Sequence, residues 1–204
     1  MTPAGLRERK KQRTREAIVE AALRLFDERG FDQTTIADIA EAADIAPRTF
    51  FGYFPSKEDV VFADSAEFFD EFSQRVVHHD EGETAIDALR AWFTDHIDEL
   101  LQSDERNQCR RRVISGSDAL AAHERTITGR FQDVLAEAVA RDLGDSAEDL
   151  RPRLVAAAAI AALESLIHQD IKGKASSSKQ ALAVIDQAMD FLQGGLAALR
   201  KQVA

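Results

Sequence analysis

Residues 34–61 read TTIADIAEAADIAPRTFFGYFPSKEDVV, and this stretch decides the fold of the chain. It begins with a capping-box pattern, because Thr35 precedes an apolar-periodic run and Asp38 follows three positions later. The apolar residues of that run share one helical face, and they are Ile36, Ile39, Ala40 and Ala43. The pattern predicts a short helix that begins at Thr35 and packs through this face.

A tight turn and a second short helix follow. Asp44 stands where the turn needs a positive φ, which Asp tolerates better than most residues. Pro47 suits the first turn of the next helix, because its missing N–H costs nothing there. In this helix, residues 47–53, the outward side chains are Arg48, Thr49, Gly52 and Tyr53, while Phe50 and the following Phe54 point inward. The order predicts a helix-turn-helix, whose second helix lies in a DNA groove, and Ser56 then caps the next helix.

The preceding residues belong to the same bundle. Residues 15–29 form an amphipathic pattern with Ile18, Ala22, Leu25 and Phe26 on one face. Gly30 is a natural stop for this helix. Three helices with short connections therefore make a compact DNA-binding unit.

Residues 13–61 resemble the N-terminal domain of the tetracycline-repressor (TetR) family of bacterial regulators. The matching residues are 21–26, Gly30, Thr34, Thr35, Ile39, Ala40, Ala43, Thr49, Tyr53, Phe54 and 56–58. The resemblance implies an all-helical homodimer with a small-molecule pocket in its second domain. The family commonly has Gly, Ser and Tyr where this chain has Asp44, Ala46 and Phe51. We therefore expect a slightly strained turn, an uncapped recognition helix and one hydroxyl contact fewer to the DNA backbone.

Composition favours a soluble globular protein. The 204 residues, 45% apolar and 30% charged, suffice for a sizeable core and one or two domains. The single cysteine, Cys109, cannot form an internal disulfide, which fits a reducing cytosol, so we expect a cytoplasmic protein. No apolar run reaches about 18 residues, and no apolar segment of the secretory type follows the basic N-terminus. We expect no membrane partner.

Charge is divided unevenly along the chain. The net charge is −10, but residues 1–15 carry six basic residues against one acidic residue, a net of +5. The basic residues, which include Arg13 and Arg15, stand beside the helix-turn-helix, where DNA phosphates would lie. A solvated, disordered tail is the alternative, and both interpretations hold if the tail orders only on DNA.

The rest of the pattern is helical, so the fold class is all-α. Helices are predicted over 56–78, 84–101, 106–115, 119–143, 149–171 and 178–199. We divide the chain into a basic arm (1–12), a helix-turn-helix domain (13–60) and a helical ligand-binding and dimerisation domain (61–204).

The last two helices favour a dimer interface. Residues 154–163 are apolar and rich in Ala on every face, which is typical of a buried or interfacial helix. With the last helix they could form a four-helix interface about a two-fold axis. The candidate interface residues are Leu163, Ile167, Leu182, Ile185, Met189, Leu192 and Leu196. The alternative is a core within one chain.

The stretch from Arg106 into the Ala-rich helix resembles the acyl-CoA-like ligand-binding (mycofactocin-regulator-like) C-terminal domain. That resemblance implies an apolar tunnel and a small apolar effector of the acyl or acyl-CoA class. The candidate pocket residues are Phe68, Phe72, Trp92, Phe93, His96, Arg110, Phe131 and Ile167. Plain core packing is the alternative for the apolar ones. Arg110, Arg111 and Arg112 could bind a ligand anion, transmit the signal or form a solvated face.

Enzyme chemistry finds little support. There is no paired Glu-x-x-His motif, no Gly-x-Ser-x-Gly elbow and no Gly-rich phosphate loop, so we expect no catalytic residue, metal or cofactor. The basic neighbours of Cys109 could lower its pKa and make a redox switch, and a buried inert thiol is the alternative.

These patterns predict a ligand-controlled transcription factor. Arg48 is the candidate base reader, because Arg pairs bidentately with guanine, and a phosphate contact is the alternative. Pro47 and Phe51 could contact thymine methyls. The candidate phosphate ligands are Thr35, Thr49, Tyr53 and Lys57. A homodimer would read a pseudo-palindrome in double-stranded DNA. The alternative function is a small-molecule-binding or interaction protein with weak specific DNA binding.

Overall fold

The computed structural model describes residues 3–100, 105–170 and 178–201. This part of the chain is all-α, as predicted, and holds no β-strand. Its helices are α1 (Pro3–Arg29), α2 (Ile36–Ala42), α3 (Pro47–Phe50), α4 (Lys57–Val61), α5 (Ser65–Val77), α6 (Ala85–Leu100), α7 (Glu105–Ser115), α8 (Asp118–Leu143), α9 (Leu150–Asp170) and α10 (Ser178–Lys201). Within these ranges no helix has the length and apolar content that a membrane span requires.

Contacts divide the chain into two compact units, of which the first contains residues 3–66 and 105–124 of the described part. Its fully buried apolar side chains include Ile18, Val19, Ala22, Ile39, Phe50, Val60, Val61 and Leu120. Helix α7 packs on α1 and adds Cys109, Val113 and Ile114 to this core. The three-helix bundle predicted from sequence is thus widened by a segment about 45 positions further along the chain.

The predicted caps fix the starts of α2 and α4. The Thr35 N–H donates to Asp38 Oδ2 at 2.8 Å, and the Asp38 N–H donates to Thr35 Oγ1 at 3.2 Å, which completes the capping box. The Ser56 hydroxyl accepts a hydrogen bond from the Asp59 N–H at 3.3 Å. Both predicted helix starts are confirmed.

Helix α1 is longer than predicted, because it begins at Pro3 rather than near Arg15. The added residues are mostly Lys, Arg, Gln and Glu, which are strong helix formers. The Gln12 amide also donates to Glu16 Oε1 at 3.0 Å across one helical turn. The interpretation of this segment as a disordered tail is therefore corrected.

The helix predicted over 56–78 is two helices, α4 and α5, with a break at residues 62–64. The Phe62 carbonyl accepts hydrogen bonds from the N–H and the hydroxyl of Ser65, at 3.0 and 2.7 Å, so it turns the chain instead of continuing the helix. The next carbonyl, that of Ala63, accepts from the Arg15 guanidinium. Apolar spacing continues through the break, and for that reason the sequence pattern missed it.

The second unit contains residues 67–100, 125–170 and 178–201 of the described part. Helices α6, α8, α9 and α10, like α7 of the first unit, begin and end within two residues of the predicted ranges. The core of this unit joins α5, α6, α8, α9 and α10, and its fully buried side chains include Val76, Ile86, Leu89, Leu135, Val139, Ile185 and Met189. Thr84 and Asp87 form a second capping box at the start of α6.

Charged groups hold the connection between α5 and α6. The Arg75 guanidinium donates to Glu83 Oε2 at 2.9 Å, and the Asp80 N–H donates to the same oxygen at 3.1 Å. The hydrogen bond from Arg75 lowers the pKa of Glu83, although burial acts in the opposite direction. Asp142 on α8 accepts from the Ala85 N–H at 2.7 Å. The loop is therefore tied to the helices on both sides.

Candidate functional site

The turn between α2 and α3 has the geometry that the sequence predicts. Asp44 has a φ of +53°, in the left-handed region. The Ile45 N–H donates to the Ala40 carbonyl at 2.9 Å, which is the hydrogen bond of a Schellman ending. Pro47 occupies the first turn of α3, and Ala46 provides no side-chain cap, as expected.

The recognition helix is shorter than predicted, because α3 ends at Phe50 rather than Tyr53. The chain continues in tight turns, in which the Gly52 N–H donates to the Thr49 carbonyl and the Tyr53 N–H donates to the Phe50 carbonyl. We call residues 47–54 the recognition segment. Its short helical part is fixed at one end by the turn and at the other by these hydrogen bonds.

Two side chains of the recognition segment point into the core, and most of the others face solvent. Phe50 is fully buried and Phe54 nearly so, and their ring centroids lie 6.0 Å apart. Arg48 and Thr49 are exposed, Phe51 is 58% exposed and Tyr53 is half-buried. The buried rings anchor the backbone, so a basic, a hydroxyl and an aromatic side chain are presented together to solvent. This arrangement suits contact with the edges of bases and with phosphates.

Two of the candidate phosphate ligands have structural partners. The Lys57 ammonium donates to the carbonyls of Phe31 and Thr34, at 2.7 and 3.1 Å, and lies 4.2 Å from the centre of the Phe31 ring. Thr35 is exposed, but its hydroxyl belongs to the capping box with Asp38. Both residues therefore hold the helix-turn-helix together, and phosphate binding by them stays a prediction.

The candidate basic residues of α1 differ in environment. Arg13 is exposed, with its side chain on the outer face of the helix. Arg15 is partly buried, donates to the Ala63 carbonyl and lies 3.4 Å from Asp64 Oδ1. Its guanidinium also lies 5.3 Å from the centre of the Phe54 ring. Arg15 thus connects α1 with the end of the recognition segment and the break after α4.

Most of the candidate pocket residues meet in one aromatic cluster of the second unit. The ring of Phe72 lies 5.3 Å from that of Trp92 and 4.9 Å from that of Phe131. Phe68 contacts Trp92 at 4.6 Å, and His96 stacks on Trp92 at 4.7 Å. Phe93 is buried in the same core, while the side chain of Ile167 lies outside the described residues. The described rings pack against one another.

An open groove of about 600 Å³ borders this aromatic cluster. The residues that line it are Asp70, Glu71, Gln74, Arg75, His78, Trp92, Asp95 and His96. His96 Nε2 lies 3.1 Å from Glu71 Oε2, and His96 Nδ1 lies 2.7 Å from the Trp92 carbonyl. Among the described residues, no group of three or more His, Cys, Asp or Glu side chains could hold a metal ion.

Arg110 lies in the first unit, whereas the other described pocket candidates lie in the second. Its guanidinium donates to Asp64 Oδ2 at 3.0 Å and to Asn107 Oδ1 at 3.3 Å. Arg112 forms a two-pronged ion pair with Asp27 on α1, with the shorter contact at 2.7 Å. The structure thus ties both arginines to carboxylates of the unit that contains the recognition segment.

Cys109 is buried, and its thiol donates to the Leu23 carbonyl at 3.3 Å. Burial raises the pKa of the Cys109 thiol, and the charge of Asp27 adds to this effect. The thiolate, which is the reactive form, is therefore disfavoured. This finding supports the inert thiol rather than the redox switch.

The described candidates for the dimer interface are buried within their own chain. Leu163, Ile185, Met189 and Leu192 belong to the core of the second unit, and Leu182 packs against it. The side chain of Leu196, like that of Ile167, lies outside the described residues. Their burial supports the alternative of a core within one chain, because the apolar stripe of a helix can cover its own core, and an interface through these residues stays a prediction. Among the described side chains of α9 and α10, the exposed large apolar ones are Leu150, Leu154, Val184 and Phe191.

Sequence reasoning missed two residues that organise the first unit. Thr34 is buried, and its hydroxyl donates to the Gly30 carbonyl at 2.9 Å, which closes the corner between α1 and α2. Asp64 collects ion pairs from Arg15, Arg106 and Arg110. The adjacent threonines Thr34 and Thr35 were a usable signal for the role of Thr34. No residue near Asp64 in sequence indicates which arginines pair with it.

Two family models match the chain. The model of the bacterial regulatory proteins of the tetR family matches residues 18–63, and the model of the MftR C-terminal domain matches residues 83–197. The HTH-type transcriptional regulator TcmR of Streptomyces glaucescens is 28% identical, over 93% of this chain and 87% of its own length. MftR of Mycobacterium tuberculosis, a regulator named for mycofactocin biosynthesis, is 30% identical, over 92% of this chain and 93% of its own length.

A solved structure shares the fold. SmeT, the repressor of the Stenotrophomonas maltophilia multidrug efflux pump SmeDEF, superposes with a TM-score of 0.60 and 23% identity, over 86% of this chain and 88% of its own. The relatives that span the chain are transcriptional regulators, so an enzymatic function is set aside. The predicted resemblance is confirmed in both halves: the chain belongs to the TetR family of DNA-binding transcriptional regulators, with a helix-turn-helix domain and a C-terminal domain of the MftR type.

Proposed function

We propose that this regulator is a cytoplasmic repressor that binds a pseudo-palindromic operator as a homodimer and responds to a small apolar effector. One observation carries the proposal. The recognition segment presents Arg48, Thr49 and Phe51 to solvent from a backbone that the buried rings of Phe50 and Phe54 anchor. A small set of side chains on a rigid element is what base readout in a major groove requires.

Arg48 reads a guanine in this proposal, and Phe51 and Pro47 contact thymine methyl groups. Thr49 and Tyr53 hold phosphates and set the register, with Arg13 adding a contact from α1. Lys57, Thr35 and Arg15 act mainly by holding the backbone, because their polar groups already have protein partners. The binding free energy therefore depends strongly on salt, through the remaining phosphate contacts.

The dimer forms through the outer faces of α9 and α10. Leu150 and Leu154 stand one turn apart on α9, and Val184 and Phe191 stand two turns apart on α10; Phe191 is 80% exposed. An exposed set of large apolar side chains on adjacent helices is typical of a protein interface. Two copies of this helix pair would make an isologous four-helix contact about a two-fold axis.

The effector binds in the second unit and belongs to the acyl or acyl-CoA class. The MftR-type C-terminal domain and the aromatic cluster around Trp92 and Phe131 support this assignment. SmeT is named as a repressor, which supports repression rather than activation in this proposal. Such a ligand acts only through a difference in its affinity for the DNA-bound and free conformations. Residues 61–204 serve effector binding and dimerisation, and residues 13–60, preceded by the basic arm 1–12, serve DNA binding.

The test is a titration of the purified chain with DNA that flanks its own gene, with and without a long-chain acyl-CoA. We expect tight binding whose log affinity falls with log salt at about 0.9 per phosphate contacted, and which the acyl-CoA weakens. Equal affinities for the DNA with and without acyl-CoA would rule out this effector class but leave operator binding supported. A flat salt dependence on every DNA tested would favour a ligand-binding or interaction protein instead.

A further inference from the structure

Asp64 lies at the break between α4 and α5 and collects guanidinium groups from two other helices. Arg110 Nη2 donates to Asp64 Oδ2 at 3.0 Å, and Arg106 Nη2 lies 3.9 Å from the same oxygen. Arg15 Nη1 lies 3.4 Å from the other oxygen, Oδ1. Within the part of the chain that the structure describes, none of the three arginines has a second ion pair. Three positive charges therefore share one carboxylate.

The charge excess is accessible from solvent. The side chain of Arg110 is 20% exposed, that of Arg106 is 42% exposed, and that of Asp64 is 53% exposed. Arg110 Nε is buried and has no hydrogen-bond partner among the described residues. A buried N–H without a partner is unfavourable, so the present partners of Arg110 do not satisfy its guanidinium fully. Ion pairs as exposed as that of Asp64 are weak, so another anion can compete for the same arginines.

We propose that Arg106 and Arg110 form an anion-binding site for a phosphate or polyphosphate group, with Asp64 as a displaceable counter-ion. A phosphate carries more charge than a carboxylate and has enough oxygens to accept from two guanidiniums at once. It takes the two arginines of α7 from Asp64, which keeps its ion pair with Arg15. Free phosphates and the phosphates of a nucleotide-containing cofactor share this chemistry.

Displacement of Asp64 also has a consequence for DNA binding, and this part rests on the proposed function. Arg15 contacts the Ala63 carbonyl and the Phe54 ring, so it joins the break after α4 to the end of the recognition segment. Asp64 extends that connection to α7 through Arg110. An anion on Arg106 and Arg110 removes this link.

The site is tested by calorimetric titration of the full chain with inorganic pyrophosphate, without DNA and at constant ionic strength. We expect Arg106→Gln and Arg110→Gln each to weaken binding by at least about tenfold, because each removes a charged hydrogen bond. We expect Asp64→Asn to tighten binding several-fold, because it removes the competing anion. A misfolded variant cannot produce this gain, so the Asp64→Asn arm stays decisive if an arginine variant fails to fold.

Controls come from a different ion pair of α7, the one between Arg112 and Asp27 on α1. Asp27→Asn and Arg112→Gln each break this pair, which lies in the same unit, and they should leave pyrophosphate affinity unchanged. If pyrophosphate binds instead to the basic residues of α1, none of these variants should change its affinity. An unchanged affinity in Arg110→Gln, or no gain in Asp64→Asn, would overturn the site.

Two further arms identify the anion. Coenzyme A that binds no more tightly than pyrophosphate assigns the site to free phosphates, and tighter binding assigns it to a phosphorylated cofactor; either result supports the site. If Arg106→Gln and Arg110→Gln weaken operator binding in anion-free buffer and reduce its salt slope, the guanidiniums bind DNA and the proposal is wrong. Because the pyrophosphate titration contains no DNA, its failure is distinct from a failure of operator binding.

Discussion

The recognition segment of the first unit and the aromatic cluster of the second unit are held in place by contacts of very different range. Around the recognition segment, the hydrogen bonds from Asp38 to Thr35, from Ile45 to Ala40 and from Asp59 to Ser56 join residues three to five positions apart. In the aromatic cluster, the ring of Phe72 contacts those of Trp92 and Phe131, which are 20 and 59 positions away.

This difference decides what a sequence pattern can reveal. Hydrogen bonds between residues close in sequence depend on residue types that also stand close in sequence. Caps and turns therefore indicate which residues point outward as well as which point inward. A cluster assembled from three helices has no such local signal, because the same apolar stripe fits a solid core and the wall of a pocket.

Replacing Phe72 with Ala should have the largest effect. The ring is 1% exposed and packs on two other rings, so we expect a loss of about 3–5 kcal/mol in the free energy of unfolding. The matched change is Phe51→Ala, at an exposed ring, which should shift that free energy by no more than about 0.5 kcal/mol. Urea denaturation measures both. A cost below about 1 kcal/mol for Phe72→Ala would mean that the ring lines a cavity rather than a packed core.

Replacing Arg48 with Ala should reduce operator affinity by about 1–3 kcal/mol, or roughly 5- to 150-fold, and relax specificity at one base pair. The side chain is exposed, so the free energy of unfolding should not change. Lys179→Ala, at an exposed cation of α10, is the control for lost charge. A loss that is equal on operator and on unrelated DNA would make Arg48 a phosphate contact and leave base reading to other residues.

The sequence predicted the first unit's caps and the outward face of its recognition segment, because the signals lie within five residues of one another. It missed the break after α4, where the chain turns although the apolar spacing continues. That turn depends on Arg15, which lies 48 positions away in sequence and whose guanidinium donates a hydrogen bond to the Ala63 carbonyl. No local pattern contains such a partner.

In the second unit, the sequence predicted the helices but not the partners of their side chains. Leu163, Ile185, Met189 and Leu192 were assigned to an interface, yet they fill their own core, because periodicity identifies an apolar face without saying what covers it. The exposed Phe191 lies on the same helix as three of them and carries no distinguishing signal in sequence. Arg110 was assigned to the pocket by its place in a run of three arginines, and its carboxylate partner was unforeseen.

A smaller effect, on the dependence of stability on pH, tests the second unit. The hydrogen bond from Arg75 holds the pKa of Glu83 below its ordinary value of about 4.5. A depressed carboxyl pKa contributes stability at neutral pH, and this contribution is lost as the pH falls through the folded-state pKa. We therefore expect Glu83→Gln to cost about 1 kcal/mol at pH 7 and less as the pH falls from 5 toward 3. Chemical denaturation across this range measures it.

Other carboxyl groups with depressed pKa values, including Asp64 and Asp87, also make the native protein less stable in acid. Only the difference between the native chain and Glu83→Gln reports on the ion pair with Arg75. Glu81→Gln, at an exposed neighbour in the same loop, should give a curve parallel to that of the native chain. A parallel curve for Glu83→Gln would contradict the assigned role of the pair.

The smallest effect concerns the turn before the recognition segment. Asp44 adopts a φ of +53°, which disfavours residues with a Cβ, and no hydrogen bond of its side chain is found among the described residues. Asp44→Gly should therefore raise the free energy of unfolding by about 0.5 kcal/mol, since the relief of strain exceeds the added entropy of the unfolded chain. Asp32→Gly, at an exposed residue without a positive φ, should be neutral or destabilising. If Asp44→Gly destabilises the chain instead, the carboxylate itself stabilises the turn. The turn would then depend on a side-chain contact as well as on its backbone geometry.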